Sequence, residues 1–209
     1  PSVVGYEAAG VIDALGEGVD APAVGTRVMA LSRFGAHTDT LVVPAANALP
    51  IPDAMTFEEA AAIPVKDLTA EHRRVRGANL RPKGKVLVHV ADGGVGIAAL
   101  QLCRTVPDVV TFGTASASKH DVIRAEGCDH PIDYRSVDYA DEVRRLTGGK
   151  GVDIVLDALG GKDWKKGMDL LGPAGLLIAF GFANMASGEK RHVRHVAREA
   201  LGIPLFTPM

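Results

Sequence analysis

The sequence has few cysteines, no excess of charge of either sign and no long uninterrupted hydrophobic run. Its 209 residues include two cysteines, and 23 basic residues stand against 25 acidic ones for a formal net charge of −2. A near-neutral chain argues against nucleic acid as the main partner, because nucleic-acid-binding domains usually carry a basic surface. Two cysteines cannot form a cysteine-rich zinc site, and we expect Cys103 and Cys128 to be buried thiols in a reducing compartment.

The most apolar segment, LLGPAGLLIAFGFANMA at 170–186, is broken by a proline and several glycines. A membrane-spanning helix needs about 20 consecutive apolar residues, so this segment fits a turn followed by a buried strand better. No signal peptide opens the sequence. A soluble cytoplasmic protein without a membrane span is therefore expected. The hydrophobic residues, 47% of the sequence, suffice for one sizeable core or two smaller ones.

The first 60 residues differ in pattern from the rest. Residues 1–50 contain short β-prone runs separated by glycine and proline, which predicts a small antiparallel β unit. The run TFEE at 56–59 is a capping-box pattern that predicts the start of a short helix, and Pro64 is expected to end it. The sequence thus predicts a β domain at 1–60 and a second domain at 61–209.

The second domain alternates β-prone and helical segments, which predicts an α/β fold: a parallel sheet with helices on both faces. The runs VLVHV, VDIVL and GLLIAFG are almost continuously apolar, as strands covered on both sides require. Strands are predicted at 85–90, 109–114, 130–133, 153–157 and 175–181, and helices at 95–105, 118–127, 138–147 and 162–171.

The turn after the first of these strands reads ADGGVG at 91–96, a variant of G-x-G-x-x-G with alanine first. Gly93 would allow close approach to a pyrophosphate and Gly96 close packing of helix on strand, while Ala91 serves the tight turn if its φ stays negative. The amides that open the following helix would bind the phosphates. The alternative is a plain glycine turn. Asp92 occupies a free position, where its carboxylate is expected to point away from the ligand.

The end of the second strand indicates which dinucleotide binds. NAD sites place an acid about twenty residues after the turn, but here the run TASASK ends at Lys119 with no acid before Asp121. Hydroxyls and a lysine suit a 2′-phosphate, which favours NADP(H). The alternative is that Ser118 caps the next helix and Lys119 is a solvated charge. Tyr134 and Arg135, after the third strand, are expected at the same adenosine end.

Several long motifs, in this order, resemble one known family. They include GYEAAGVIDALGEGV, FEEAAAIP, VLVHVADGGVGIAALQL, GTASASKHDVI and KGVDIVLDALGG. The chain resembles the zinc-independent quinone oxidoreductase branch of the medium-chain dehydrogenase/reductase superfamily, closest to its VAT-1-like members. This resemblance implies part of a GroES-like β domain followed by a Rossmann domain that is truncated at its carboxyl end. It further implies NADPH as cofactor and hydride transfer to a quinone or related enone.

Carried over by matched position, the resemblance implies three groups of cofactor contacts. They are Gly93, Gly94, Val95 and Gly96 for the pyrophosphate; Ser116, Lys119 and Tyr134 for the 2′-phosphate end; and Thr69, Leu159, Phe180 and Gly181 for the nicotinamide side. Tyr6 stands where zinc-dependent relatives carry histidine, so the resemblance implies no metal site. Tyr6 is then a candidate substrate contact or, alternatively, a packing residue of the β domain. No side chain is identified as the catalytic acid.

The chain also departs from the family pattern. Lys66 and Asp67 stand where Asn-Tyr is common, Glu71 replaces another tyrosine, and several arginines follow before Lys85. We expect this helix to be solvated. The loss of aromatic residues on the nicotinamide side, together with the missing part of the substrate pocket, keeps open the alternative of a non-catalytic NADPH-binding module or scaffold. Among enzymes, an enoyl reductase is the alternative to a quinone oxidoreductase. Family members often dimerise through a late Rossmann strand, so a homodimer is expected for the full-length protein.

Overall fold

The computed structural model describes residues 3–71, 80–181 and 183. The chain divides into two compact units, with the boundary between Thr69 and Ala70. Each unit is described by itself, and the domain limits 1–60 and 61–209 stay a prediction. Within the described ranges, no helix has both the length and the apolar character that a bilayer crossing demands.

The first unit contains a three-stranded antiparallel sheet in the order β1-β2-β3. Its strands are β1 (Glu7–Val11), β2 (Arg27–Leu31) and β3 (Ala48–Pro50), and a 3₁₀ turn at Ala45–Asn47 leads into the last of them. Two short helices follow, α1 (Phe57–Ala62) and α2 (Pro64–Glu71). The prediction of a small antiparallel β unit is confirmed.

Helix α1 begins as its sequence predicts. The Thr56 hydroxyl accepts a hydrogen bond from the Glu59 amide at 3.1 Å, and the Glu59 carboxylate accepts one from the Thr56 amide at 2.8 Å. Pro64 follows the end of α1, but it opens α2 rather than a loop. A proline is tolerated at the first helical position because the missing amide would have no intrahelical acceptor there.

The second unit contains a five-stranded parallel sheet in the order β6-β5-β4-β7-β8. This is the predicted α/β fold. The strands are β4 (Lys85–Val88), β5 (Val110–Ala115), β6 (His130–Asp133), β7 (Val152–Asp157) and β8 (Leu171–Ala179). The helices are α3 (Gly94–Cys103), α4 (His120–Ala125), α5 (Tyr139–Leu146) and α6 (Lys162–Met168).

Alternate residues of β4 serve two apolar clusters, because successive side chains of a strand point to opposite faces. Val86 and Val88 pack with α3 and α4 residues such as Leu100 and Ile123. Leu87 packs in the other cluster with α5 residues such as Val143. Helices therefore cover both faces of the sheet at β4, and this strand reads as an apolar run because side chains on both of its faces are buried.

Further local predictions differ from the structure. Ser118 does not cap a helix: it lies in a 3₁₀ turn at Ala117–Lys119, and α4 begins after it without a side-chain cap. Strand β8 begins at Leu171 rather than 175, because a bulge interrupts its pairing. A bulge accommodates Pro173, which has no amide to donate to the ladder. Both cysteines are buried and unbridged, as expected.

Candidate functional site: the carboxyl edge of the parallel sheet

The carboxyl ends of the parallel strands bring most of the predicted contacts to one edge of the second unit. The glycine turn follows β4, and β4 lies between β5 and β7 in the sheet. The chain runs from β4 outward to β5 and β6, and then returns to β7 and β8 on the other side of β4. The carboxyl ends of β4 and β7 therefore flank a topological switch point, where open α/β sheets bind ligands. The other predicted contacts at this edge are Ser116 and Lys119 after β5, Tyr134 after β6, Leu159 after β7, and Phe180 and Gly181 after β8.

The turn after β4 is held by hydrogen bonds to β5. The Ala91 amide donates to the Thr114 carbonyl at 2.9 Å, and the Val90 amide donates to the Thr114 hydroxyl at 3.2 Å. Ala91 keeps a negative φ, and the left-handed residue of the turn is instead Val90, with φ of 52°. This conformation is strained for a β-branched side chain. The tight turn therefore lies one residue earlier than the sequence pattern indicates.

Gly96 lets helix α3 lie directly on this turn. A Cβ at this position would lie 2.3 Å from the Val90 carbonyl oxygen and 2.7 Å from the Ala91 Cα. Gly93 is less confined: a Cβ there would lie 3.2 Å from the same oxygen. The close helix–strand contact that the third glycine of the pattern serves is thus present at Gly96.

The amino terminus of α3 presents backbone donors. Gly93 is its N-cap without a side-chain hydrogen bond, and the first intrahelical bond runs from the Ile97 amide to the Gly93 carbonyl at 2.8 Å. The amides of Gly94, Val95 and Gly96 precede it, so they have no intrahelical acceptor. Such amides at the positive end of a helix dipole can bind phosphate.

The segment after β5 carries hydroxyls and a cation. The Ser116 and Ser118 hydroxyl oxygens lie 3.3 Å apart, and neither caps a helix. Lys119 is exposed and has no ion-pair partner among the residues that the structure describes. These groups can neutralise and hydrogen-bond a phosphate monoester.

Tyr134 and Arg135 lie beside this segment. Ala115 of β5 pairs with Asp133 of β6. Ser116 directly follows Ala115 and Tyr134 directly follows Asp133, so both residues come at neighbouring strand ends. The Tyr134 ring is exposed, and the Arg135 guanidinium lies 5.7 Å from its centroid. The edge of β5 and β6 therefore combines hydroxyls, two cations and an aromatic face.

The loops after β7 and β8 pack on each other. The Phe180 amide donates to the Asp157 carbonyl at 2.9 Å. A Cβ on Gly181 would lie 2.6 Å from the Ala158 carbonyl oxygen, so only glycine allows this approach. Leu159 belongs to the same loop and is half-buried.

A buried polar pair at this edge escaped the sequence-based prediction. His89 Nδ1 and Asp157 Oδ2 lie 2.8 Å apart, and neither side chain is exposed (0% for both). The other Asp157 oxygen accepts from the amides of Leu159 at 3.1 Å and Gly160 at 2.7 Å. The available clue was that each residue ends an apolar strand with a polar side chain.

Tyr139 of α5 contacts this pair. Its ring meets the His89 ring edge-on, with centroids 4.8 Å apart, and its hydroxyl donates to Asp163 at 2.9 Å. Burial and the nearby Asp163 carboxylate raise the pKa of Tyr139 well above its ordinary value. The phenol therefore stays protonated as a hydrogen-bond donor at any physiological pH.

Two of the predicted contacts, Thr69 and Tyr6, belong to the first unit. The Thr69 hydroxyl donates to the Val65 carbonyl at 2.6 Å, one turn earlier in α2. Tyr6 is exposed, with its ring 5.3 Å from that of Phe34. On the same helix, Lys66 and Asp67 lie 3.7 Å apart as a partly exposed ion pair, which agrees with a solvated helix.

The described residues contain no group of three or more His, Cys, Asp or Glu side chains that could hold a metal ion. His192 and His195, which the sequence offers as a pair, lie outside the described residues. Zinc independence therefore stays a prediction.

Comparison with known proteins decides the family. Residues 94–202 match the family described as zinc-binding dehydrogenase. The synaptic vesicle membrane protein VAT-1 homolog of Rattus norvegicus is 52% identical over 198 residues, which cover 95% of this chain and 49% of the relative. The chain belongs to the medium-chain dehydrogenase/reductase superfamily. It spans about half the length of the curated relatives it matches.

Solved structures of superfamily members share the fold. Escherichia coli quinone oxidoreductase complexed with NADPH matches with a TM-score of 0.82 and 31% identity, covering 94% of this chain and 60% of that one. The CurK enoyl reductase matches with a TM-score of 0.78 and 34% identity, covering 84% and 53%. These neighbours also agree with the resemblance to quinone oxidoreductases that the sequence motifs indicate.

Proposed function

We propose that this chain is the NADPH-binding part of a zinc-independent oxidoreductase that reduces a quinone or a related enone. One observation carries the proposal. At the switch point of the parallel sheet, the amides that open α3 follow β4 without a side-chain cap. After the neighbouring strand β5 come the Ser116 and Ser118 hydroxyls and Lys119, which has no ion-pair partner among the residues that the structure describes. The bound NADPH of the E. coli neighbour supports it.

The chain's own residues suit the parts of NADPH. The amides of Gly94, Val95 and Gly96 would bind the pyrophosphate, since they have no intrahelical acceptor. Ser116, Lys119 and Tyr134 would hold the 2′-phosphate end. Leu159 in the loop after β7, and Phe180 and Gly181 after β8, would lie on the nicotinamide side. When bound, NADPH supplies the hydride; the protein supplies orientation and electrostatics.

Parallel titrations with NADPH and NADH test the cofactor assignment. The wild-type chain should bind NADPH more tightly, because only NADPH offers a 2′-phosphate to Lys119. Lys119→Glu should weaken NADPH binding about tenfold or more, since a charge-assisted hydrogen bond contributes roughly 1.5–3 kcal/mol, and should leave NADH binding nearly unchanged. Lys150→Glu is the matched control, because exposed Lys150 precedes β7 at the opposite edge of the sheet.

The outcomes separate the parts of the proposal. Equal affinity of the wild type for both cofactors would overturn the 2′-phosphate assignment. No binding of either cofactor would overturn the proposed function. An equal loss of NADPH affinity in Lys119→Glu and Lys150→Glu would show a general effect of charge rather than a phosphate site at Lys119.

The reaction is tested with the same protein by following NADPH oxidation with ortho- and para-quinones. Turnover with these substrates, unchanged by a zinc chelator, is expected. An enoyl reductase is the second candidate, since the CurK neighbour has that activity in its name, and turnover of a 2-enoyl thioester instead of quinones would favour it. NADPH binding without turnover of either would identify a non-catalytic binding module. Cytoplasmic location and a homodimer of the full-length protein remain proposals.

A further inference from the structure

The His89–Asp157 pair joins the two strand ends that flank the switch point. Asp157 ends β7, and His89 directly follows β4, its neighbour in the sheet. Because an ionised carboxylate only accepts hydrogen bonds, the 2.8 Å contact places the histidine hydrogen on Nδ1. The pair thus links the ends of β4 and β7 through buried side chains, in addition to the backbone bond from the His89 amide to the Leu156 carbonyl.

Each partner also fixes a loop of the candidate site. Asp157 accepts from the amides of Leu159 and Gly160, so its carboxylate shapes the loop 158–160. His89 directly precedes Val90, the strained residue that opens the glycine turn. Strained backbone persists only where its surroundings hold it. One buried carboxylate therefore connects the loop after β7 to the residue at which the glycine turn begins.

Stability alone does not account for such a pair. Replacing a buried ionic or polar pair with apolar residues of similar volume is often neutral or stabilising, whereas removing one partner is costly. The surrounding cluster already supplies apolar packing from Leu87, Tyr139 and Val155. In addition, His89 Nε2 is buried and has no hydrogen-bond partner in the described part of the chain. What the pair adds is a fixed geometry between two loops.

We propose that His89 and Asp157 are positioning residues that hold the loop 158–160 at a set distance from the glycine turn and so orient the nicotinamide half of the cofactor. This inference rests on the proposed function, because it takes the glycine turn as the pyrophosphate site and Leu159 as a nicotinamide-side contact. Neither side chain touches the cofactor itself, since both are fully buried.

The test compares two ligands on variants of the full 209-residue chain. NADPH spans both loops, whereas 2′,5′-ADP occupies only the adenosine end near β5 and β6. His89→Leu removes the bond to Asp157 and should weaken NADPH binding about tenfold, because NADPH would then have to order the loop 158–160 on binding. Binding of 2′,5′-ADP should stay within about twofold. Amide hydrogen exchange at Leu159 and Gly160 should speed up in the same variant.

Two variants separate positioning from stability. His89→Asn places an amide donor where Nδ1 lies, so it should restore NADPH binding toward the wild-type value. Leu87→Ala opens a cavity in the same buried cluster without touching the pair; it should lower the melting temperature but keep the ratio of NADPH to 2′,5′-ADP affinity. If His89→Leu does not fold, His89→Gln takes its place. The glutamine amide lies near the position of Nε2 rather than Nδ1, so this variant also lacks the bond to Asp157.

The outcomes are distinguishable. A folded His89→Leu or His89→Gln variant with an unchanged ratio of NADPH to 2′,5′-ADP affinity would overturn the positioning role and leave the proposed function intact. So would a Leu87→Ala variant that shows the same change in this ratio as His89→Leu. Wild-type protein that binds 2′,5′-ADP and NADPH equally well would also overturn it, since the nicotinamide half would then add nothing. Wild-type protein that binds neither ligand would overturn both proposals.

Discussion

Gly96→Ala tests the close contact between helix α3 and the glycine turn. The new Cβ would lie 2.3 Å from the Val90 carbonyl oxygen and 2.9 Å from the Ala91 carbonyl carbon. All of these neighbours are backbone atoms, so no side chain can rotate away. The helix and the turn would have to separate by several tenths of an ångström, and the turn would lose the geometry that presents the α3 amides.

The expected loss of stability follows from two opposing effects. Overpacking a well-packed site costs about 1–3 kcal/mol, and a backbone clash falls at the upper end of that range. Replacing glycine by alanine inside a helix gives back up to about 1 kcal/mol. The free energy of unfolding should therefore fall by about 2 kcal/mol, which corresponds to a melting temperature lower by roughly 4–8 °C for a chain of this size.

Gly93→Ala is the matched control, because its Cβ would lie 3.2 Å from the same Val90 oxygen and needs only a small adjustment. Urea unfolding and NADPH titration should both rank the proteins as wild type, Gly93→Ala, Gly96→Ala, from the least to the most perturbed. A Gly96→Ala variant with wild-type stability and wild-type NADPH affinity would refute the argument from close packing. Greater damage from Gly93→Ala would show that the turn is tightest at the other glycine.

Two further predictions concern ionisable groups away from the turn. Burial raises the pKa of the Cys128 thiol to about 12, so it should resist iodoacetamide near neutral pH in the native protein and react after unfolding in urea; rapid labelling of the native thiol would contradict its burial. Asp138 caps α5 through the amides of Ala140 and Asp141 and binds Lys166, and these bonds, that of Lys166 foremost, hold the pKa of Asp138 below its ordinary value. Asp138→Ala should lower the free energy of unfolding by about 1 kcal/mol at neutral pH. A carboxylate with a lowered pKa stabilises the fold above the ordinary Asp pKa and loses this effect as pH falls through its folded-state pKa. The difference in free energy of unfolding between wild type and Asp138→Ala should therefore shrink on acidification. A difference that grows on acidification, measured by urea unfolding, would refute the assignment.

The parallel sheet was predictable because strands that are covered on both faces appear in the sequence as apolar runs. Val86, Leu87 and Val88 all face apolar clusters, on one side of the sheet or the other, so the strand reads as an unbroken apolar run. Its end was less predictable. The sequence pattern extends the strand through His89 to Val90, but Val90 takes a left-handed conformation, which interrupts the extended backbone.

Boundaries set by long-range pairing were also hard to predict. The bulge in β8 depends on where β7 offers partners: Val152 pairs with Leu171, and Ile154 already pairs with Leu176. Nothing in the apolar run of β8 itself marks that jump. Ser118 has the local spacing of an N-cap, but the chain leaving β5 first forms a 3₁₀ turn that absorbs it.

The glycine roles followed from local rules, whereas the buried pair did not. Gly96 is required by contacts within one strand–turn–helix unit, so its spacing in the sequence is informative. His89 and Asp157 are 68 residues apart. In the sequence, His89 is a polar residue inside the run VLVHV and Asp157 is one that follows the run VDIVL. Only the adjacency of β4 and β7 makes them a pair.

This contrast bears on how the candidate site can change. Ser116, Lys119 and Tyr134 lie toward the surface, so substitutions there should alter cofactor preference at little expense in stability. Gly96 is buried against the backbone of the glycine turn, and Asp157 is buried against His89 and the amides of its own loop. Substitutions at these two positions should therefore disturb both folding and binding. If the proposed cofactor site is right, selection for a different adenosine phosphate can act on β5 and β6 alone. The geometry that we propose to orient the nicotinamide half would stay tied to the stability of the sheet.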